Sequence, residues 1–128
     1  MKFRTDLSRV KGLGSSKDGT HHWWYQRLTA IALLPLTILF LIPFIRAFGS
    51  DHGEFIAIYS HIGNAIIAIL FFIVACTHLR MGLQVVIEDY SHSKGWKTVL
   101  LVSNWLFCWG LMIAATFAIL RISLSFVI

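Results

Sequence analysis

The sequence predicts an all-α membrane protein with three transmembrane helices, and three observations support this. Hydrophobic residues make up 57% of the 128 positions and charged residues only 13%, whereas a soluble domain carries about a quarter charged residues. Residues 28–45, 55–79 and 98–120 contain no Asp, Glu, Lys or Arg. Each run is close to or above the roughly 18 to 20 residues that a helix needs to cross the hydrocarbon core. None of them alternates in polarity at period two, as the strands of a membrane barrel do.

The first helix is expected over about residues 21–48, after a polar segment over residues 1–20. Trp23, Trp24 and Tyr25 crowd its start, and aromatic residues with a polar edge favour the headgroup level of a bilayer. The polar segment has no apolar stretch followed by a cleavage site, so we expect the first helix to act as an uncleaved membrane signal.

The second helix is expected over about residues 55–87 and the third over about 98–123. The second is longer than a bilayer requires, so we expect it to tilt or to protrude from the membrane. Cys76 and Cys108 lie in apolar runs without a paired cysteine motif and are interpreted as small packing residues. Residues 21–128 are therefore expected to form one three-helix transmembrane domain.

The distribution of Lys and Arg predicts the orientation. Three helices place the N-terminus and the second loop on one side of the membrane. That side holds nine basic residues and the other side two, Arg46 and Arg121. The nine are Lys2, Arg4, Arg9, Lys11, Lys17, Arg27, Arg80, Lys94 and Lys97. By the positive-inside rule, residues 1–20 are cytoplasmic, and we expect a bacterial inner membrane location.

One face of the second helix carries the candidate chemistry. His78, Gly82, Val85 and Asp89 share that face by their helical spacing, and an ionisable residue inside a membrane helix is a functional candidate. Asp89 lies roughly 16 Å further along, towards the cytoplasmic surface. Gly82 leaves space beside His78 for a flat ring or another helix. His78 is either a haem axial ligand or a histidine hydrogen-bonded to a neighbouring helix.

A six-coordinate haem would need a second axial ligand. His61 is 17 residues from His78 on the same expected helix, which corresponds to roughly 25 Å. His21, His22 and His92 lie in the polar flanks. If His78 binds haem, the second ligand is therefore expected from another protein chain.

Five spaced residues occur in this order along the second helix: His78, Gly82, Gln84, Asp89 and Tyr90. In that order they resemble the second-helix signature of the hydrophobic membrane-anchor family of succinate dehydrogenase, a cytochrome b-type anchor. Residues 21–30, with the sequence HHWWYQRLTA, are similar to the entry into that family's first helix. The resemblance covers nearly the whole chain.

This resemblance implies a membrane anchor that is not catalytic alone. In this family the anchor packs with a second membrane-anchor protein into a helical bundle that holds the flavoprotein and iron–sulfur subunits. His78 matches an axial ligand of haem b, with the second ligand on the other anchor. Tyr90 matches a hydrogen-bond donor to ubiquinone, and Asp89 its acidic neighbour, a candidate proton supply. Arg27 matches an arginine of the haem propionate or quinone-site network.

The residues leave alternatives open. His78 and Asp89 would also suit a small ion- or proton-translocating protein, and a purely structural anchor without haem is a third possibility. Arg80 either contacts a propionate or extends to lipid phosphate. The sequence has no dinucleotide-binding fingerprint and no cysteine set for an iron–sulfur cluster, so flavin and clusters are expected only in partner subunits.

Overall fold

A computed structural model describes residues 17–124 of the protein, and these form four α-helices. Residues 1–16, most of the expected polar segment, and residues 125–128 lie outside the described residues. Three of the four helices are long and apolar enough to cross a membrane, which confirms the prediction of an all-α protein with three such helices. The helices are α1 (Lys17–Ala47), α2 (His52–Ser60), α3 (Ile62–Tyr90) and α4 (Lys94–Leu124).

The helix α3 is the centre of the molecule. Within residues 17–124, α3 packs against α1 on one side and α4 on the other, while α1 and α4 do not approach each other closely. Ala65 and Ala68 of α3 are 3% and 1% exposed. Small residues let helix backbones approach closely in a membrane, where packing replaces the hydrophobic effect between helices. Because of this central position, side chains of α3 can contact both α1 and α4.

The buried core lies at the end of the bundle near α2. It is formed by Ala47, Tyr59, Ala65, Ala68 and Ile119, with aromatic side chains packed around it. Burial raises the pKa of the Tyr59 phenol above its usual value, so this side chain stays neutral in the core. The opposite end of the bundle, where α3 ends, holds few buried residues.

The second expected helix, residues 55–87, differs from the structure, which divides it into α2 and α3. The backbone of His61 is extended, with φ −68° and ψ 119°. The break leaves carbonyls at the end of α2 without helical partners. The amide Nδ2 of Asn64 donates to the carbonyl oxygen of Ile58 at 2.8 Å, and Ser60 Oγ donates to the carbonyl of Ile56. Of these two bonds, the one from Asn64 reaches a carbonyl that the break leaves free and compensates for the interruption.

The outer surfaces of the three long helices are apolar. In the most hydrophobic 18-residue stretches of α1, α3 and α4, only 6%, 17% and 11% of the residues are buried. Exposed apolar surface of this extent requires lipid or another protein to cover it. The fold is therefore that of a membrane protein in which most residues of the long helices face away from the interior of the bundle.

One polar side chain is buried at the α3–α4 contact. Among residues 19–124, Asn104 is the one polar residue in the buried set, with 8% exposure. Its Nδ2 donates to the backbone oxygen of Arg80 at 2.9 Å, and Cys108 Sγ lies 3.5 Å from its Oδ1. Because no water in hydrocarbon replaces these partners, the bond from Asn104 to Arg80 sets the register of α4 against α3, while the Cys108 bond stays within α4.

We therefore expect Asn104→Ala to destabilise the α3–α4 contact by about 1 kcal/mol, the usual size of one interhelical hydrogen bond in a membrane. The measurement is reversible unfolding of the detergent-solubilised complex with increasing SDS. Ser103→Ala, at the neighbouring exposed position, is the control and should unfold like the wild type. Equal stability of the two variants would contradict a register-setting role for Asn104.

Candidate functional site

His78 of α3 faces α1 of the same chain. Its Nδ1 lies 2.9 Å from Thr29 Oγ1, and its Nε2 lies 3.4 Å from the side-chain nitrogen of Gln26. The ring is half-buried. The structure thus directs His78 into the α1–α3 contact and not towards lipid, and it engages both ring nitrogens.

The α1 residues Gln26 and Thr29 that meet His78 belong to a polar stripe. His22, Gln26 and Thr29 follow the i, i+4, i+7 spacing and share one face of α1. Thr29 Oγ1 also lies 2.9 Å from the carbonyl oxygen of Tyr25 and 3.1 Å from that of Gln26. Sequence reasoning did not assign a role to these three residues. The signal that could have identified them is the helical spacing of polar side chains in the first turns of an otherwise apolar helix.

Gly82 lies one turn from His78 and faces the same stripe. A Cβ atom at Gly82 would lie 3.4 Å from the Gln26 amide nitrogen. There is thus room beside Gly82 for about one methyl group, and the Gln26 side chain borders this room. A larger side chain at position 82 would push this amide away from the imidazole.

Two buried polar atoms of the stripe have no hydrogen-bond partner among the described residues: His22 Nε2 and Gln26 Oε1. A buried polar atom without a partner costs about 1–3 kcal/mol, and such atoms in native proteins often mark a group that the chain does not supply.

This donor set fits a haem iron. A ligating histidine usually donates its second ring N–H to an oxygen, which fixes the ring, and Thr29 Oγ1 provides that oxygen for His78. No group of three or more His, Cys, Asp or Glu in the described part of the chain is arranged to hold a bare metal ion. A haem, however, needs only one or two axial ligands from protein.

Asp89 and Tyr90 form the last turn of α3. Both side chains are exposed, Tyr90 to 79%. The end of the helix is closed by the Ser91 backbone N–H, which donates to the carbonyl of Ile87 at 3.0 Å. His92 folds back, with Nδ1 3.0 Å from the carbonyl oxygen of Tyr90. The structure keeps Asp89 and Tyr90 at the surface and does not bring them into contact with His78.

Glu88 connects this end of α3 to α4. Gln84 Nε2 donates to Glu88 Oε1 at 2.9 Å, and Lys97 Nζ donates to the backbone oxygen of Glu88 at 2.9 Å. Gln84 therefore interacts along α3, not with His78. The Lys97 bond holds the start of α4 beside the helix end that carries Tyr90.

Neither arginine near the site contacts His78. The Arg27 guanidinium lies 5.0 Å from the ring centroid of Trp23, a cation–π geometry on the exposed surface of α1. Arg80 follows His78 by two residues, which places it about 200° around the helix. Its backbone oxygen accepts the bond from Asn104 on the α4 side.

Comparison with known proteins agrees with this architecture. Residues 1–120 match the family described as succinate dehydrogenase/fumarate reductase transmembrane subunit. The succinate dehydrogenase hydrophobic membrane anchor subunit of Paracoccus denitrificans is 32% identical over 128 residues, covering 100% of this chain and 98% of that protein. The protein of the same description from Rickettsia bellii is 33% identical over 105 residues, covering 82% and 84%. No solved structure matches the chain significantly.

A further relative, the succinate dehydrogenase membrane anchor subunit of Reclinomonas americana, is 30% identical over 89 residues, 66% of this chain and 72% of that protein. The family match spans all but the last eight of the 128 residues and covers most or all of each of the three helices able to cross a membrane. The chain is therefore a multi-pass membrane protein that belongs to the family of succinate dehydrogenase and fumarate reductase transmembrane subunits.

Proposed function

We propose that this membrane anchor contributes one axial ligand of haem b, His78, and part of the ubiquinone-reduction site of a succinate:quinone oxidoreductase. Its partners in this proposal are a second membrane anchor, which supplies the other axial ligand, and the iron–sulfur and flavoprotein subunits. The observation that supports the haem assignment is the bond between His78 Nδ1 and Thr29, together with the unpartnered Oε1 of Gln26, whose amide nitrogen lies beside the ring.

His78 is suited to hold haem because a neutral imidazole is a strong axial ligand. A haem bound there would supply a reversible one-electron change of its iron. The chain itself would orient the ring through Thr29 and leave space beside it at Gly82. The break at His61 places that histidine at the far end of α3, which supports a second ligand from the partner anchor.

Tyr90 and Asp89 are suited to quinone chemistry. A phenol O–H donates a hydrogen bond to a quinone oxygen and stabilises the negative charge that develops on reduction. A carboxylate in contact with water supplies protons to the reduced oxygens. Both side chains are exposed at the end of α3, where a neighbouring protein can complete the site. Arg27 is exposed near the start of α1 and lies beside Trp23. It is two residues from Thr29, which corresponds to about 200° around the helix. Because Arg27 points away from the face that meets His78, it fits a quinone-site network better than a haem contact.

The orientation proposed here places the Tyr90 end of the bundle in the cytoplasm, and the chain in a bacterial inner membrane. Four of the nine basic residues that support this orientation belong to residues 1–16, outside the described part. Lys94 and Lys97 start α4 at the Tyr90 end, while Arg46 and Arg121 lie in the last turns of α1 and α4 at the other end. The positive-inside rule then assigns the Tyr90 end to the cytoplasm.

An ion-translocating function has less support. The helix face between His78 and Asp89 carries Gly82 and Val85, neither of which has a side-chain group that binds a proton. His78 is engaged by Thr29 and Gln26 of α1.

The haem assignment predicts that His78→Ala removes the b-type haem band from the reduced-minus-oxidised spectrum of the purified complex. The expected loss follows from removal of an axial nitrogen ligand. His92→Ala, an exposed histidine at the end of α3, is the matched control and should keep the band. A normal band in the His78 variant would exclude His78 as the ligand.

The quinone assignment predicts that Tyr90→Phe lowers quinone reduction by about 100-fold, the usual effect of removing one preorganised donor. Succinate oxidation with an artificial electron acceptor should be unaffected, because that reaction does not need the quinone site. Tyr25→Phe is the control, since Tyr25 is also exposed near this end of the bundle. Equal loss of both activities in Tyr90→Phe would indicate misassembly and contradict a specific quinone contact.

A further inference from the structure

We infer that Thr29 is a positioning residue for His78: its hydroxyl holds the imidazole proton on Nδ1, so that Nε2 carries the lone pair that binds iron. We further infer that the Gln26 amide covers this lone pair until the iron displaces it. This inference rests on the proposed haem function and assigns roles to two α1 residues that the proposed function does not use as ligands.

The tautomer follows from counting donors around Thr29. A threonine hydroxyl has one proton to donate. Its oxygen lies 2.9 Å from the carbonyl of Tyr25 and 3.1 Å from that of Gln26, and both are acceptors only. When the hydroxyl proton is donated to the backbone, the 2.9 Å contact with His78 Nδ1 is a hydrogen bond only if Nδ1 carries the proton.

A neutral imidazole with its proton on Nδ1 has an unprotonated Nε2. The one side-chain donor at Nε2 among the described residues is the Gln26 amide, at 3.4 Å. That distance is beyond the usual range of roughly 2.7–3.2 Å for N–H donors, so the contact is weak. A ligand that binds Nε2 more strongly would displace it.

The environment of Gln26 favours such a displacement. Its Oε1 is buried and has no partner in the described part of the chain. Its Nε2 borders Gly82, where the absence of a Cβ atom leaves room. The side chain is thus held by no strong hydrogen bond, whereas the imidazole is held firmly by Thr29. His78 is therefore a fixed ligand, and Gln26 of the stripe is a side chain that can move away from it.

The expected change in haem affinity follows from what is known of hydrogen bonds to metal-ligating histidines. Removing the group that orients a ligating histidine typically lowers metal affinity by about 10–100-fold. Thr29→Val removes the hydroxyl and keeps the branched shape, so the haem of the complex should be bound about 10–100-fold more weakly. Thr29→Ser keeps the hydroxyl and should behave like the wild type. Gln26→Leu removes the cover and should not weaken haem binding.

The experiment uses the purified four-subunit complex of each variant. Haem loss to an excess of a soluble haem-binding protein is followed in the visible spectrum, and the haem midpoint potential is measured by redox titration. Thr29→Val should lose haem faster and shift the potential, while Thr29→Ser should do neither. Thr29→Ala is the second hydroxyl-free variant, to be used if Thr29→Val does not assemble.

Two outcomes would overturn the inference. Wild-type haem retention and potential in the hydroxyl-free variants would show that Thr29 does not position His78. Haem loss in Gln26→Leu as large as in Thr29→Val would show that Gln26 supports the haem and does not merely cover the nitrogen.

Failure of the proposed function gives a different pattern. If haem survives His78→Ala, the ligand assignment itself is wrong. If His78→Ala abolishes haem while Thr29→Val leaves its affinity and potential unchanged, the haem function stands and only the Thr29 inference fails.

Discussion

Polar groups inside the hydrocarbon have no water to bind, so a polar group that finds no partner in the protein is costly. This constraint shapes the interior of the bundle. The imidazole of His78 bonds to Thr29, the amide of Asn104 bonds to a backbone oxygen of α3, and the amide of Asn64 bonds across the helix break. Each of these bonds joins two helices or closes a helix end, and together they determine how the helices are arranged.

The central helix α3 makes two of these hydrogen bonds, from residues that are two positions apart. His78 bonds to α1 and the backbone of Arg80 accepts from α4. A separation of two residues corresponds to about 200° around a helix, so the two bonds leave α3 on nearly opposite sides. They hold α1 and α4 in register with the same turn of α3. The ligand candidate therefore lies at a level where α3 is bonded to both neighbouring helices.

The cytoplasmic end proposed for the quinone site is organised differently. Tyr90 and Asp89 are exposed, and the nearby bonds involve Glu88, Gln84 and Lys97. These bonds orient the helix end without burying the phenol or the acid. With most of the long helices facing outward, the chain presents surfaces for a partner protein to cover, which is the behaviour expected of an anchor.

The residue pattern was sufficient to predict three membrane helices and a common face for His78 and Gly82, because hydrocarbon imposes length, low charge and helical periodicity on any spanning segment. It was not sufficient to predict the break at His61, since a single extended residue depends on whether a side chain such as Asn64 can compensate for it. The pairing of His78 with Thr29 was decided by how α1 packs against α3, whereas the contact of Arg27 with Trp23 is a local one between residues four apart on α1. The His78–Thr29 contact joins residues about 50 positions apart, and no local periodicity encodes it.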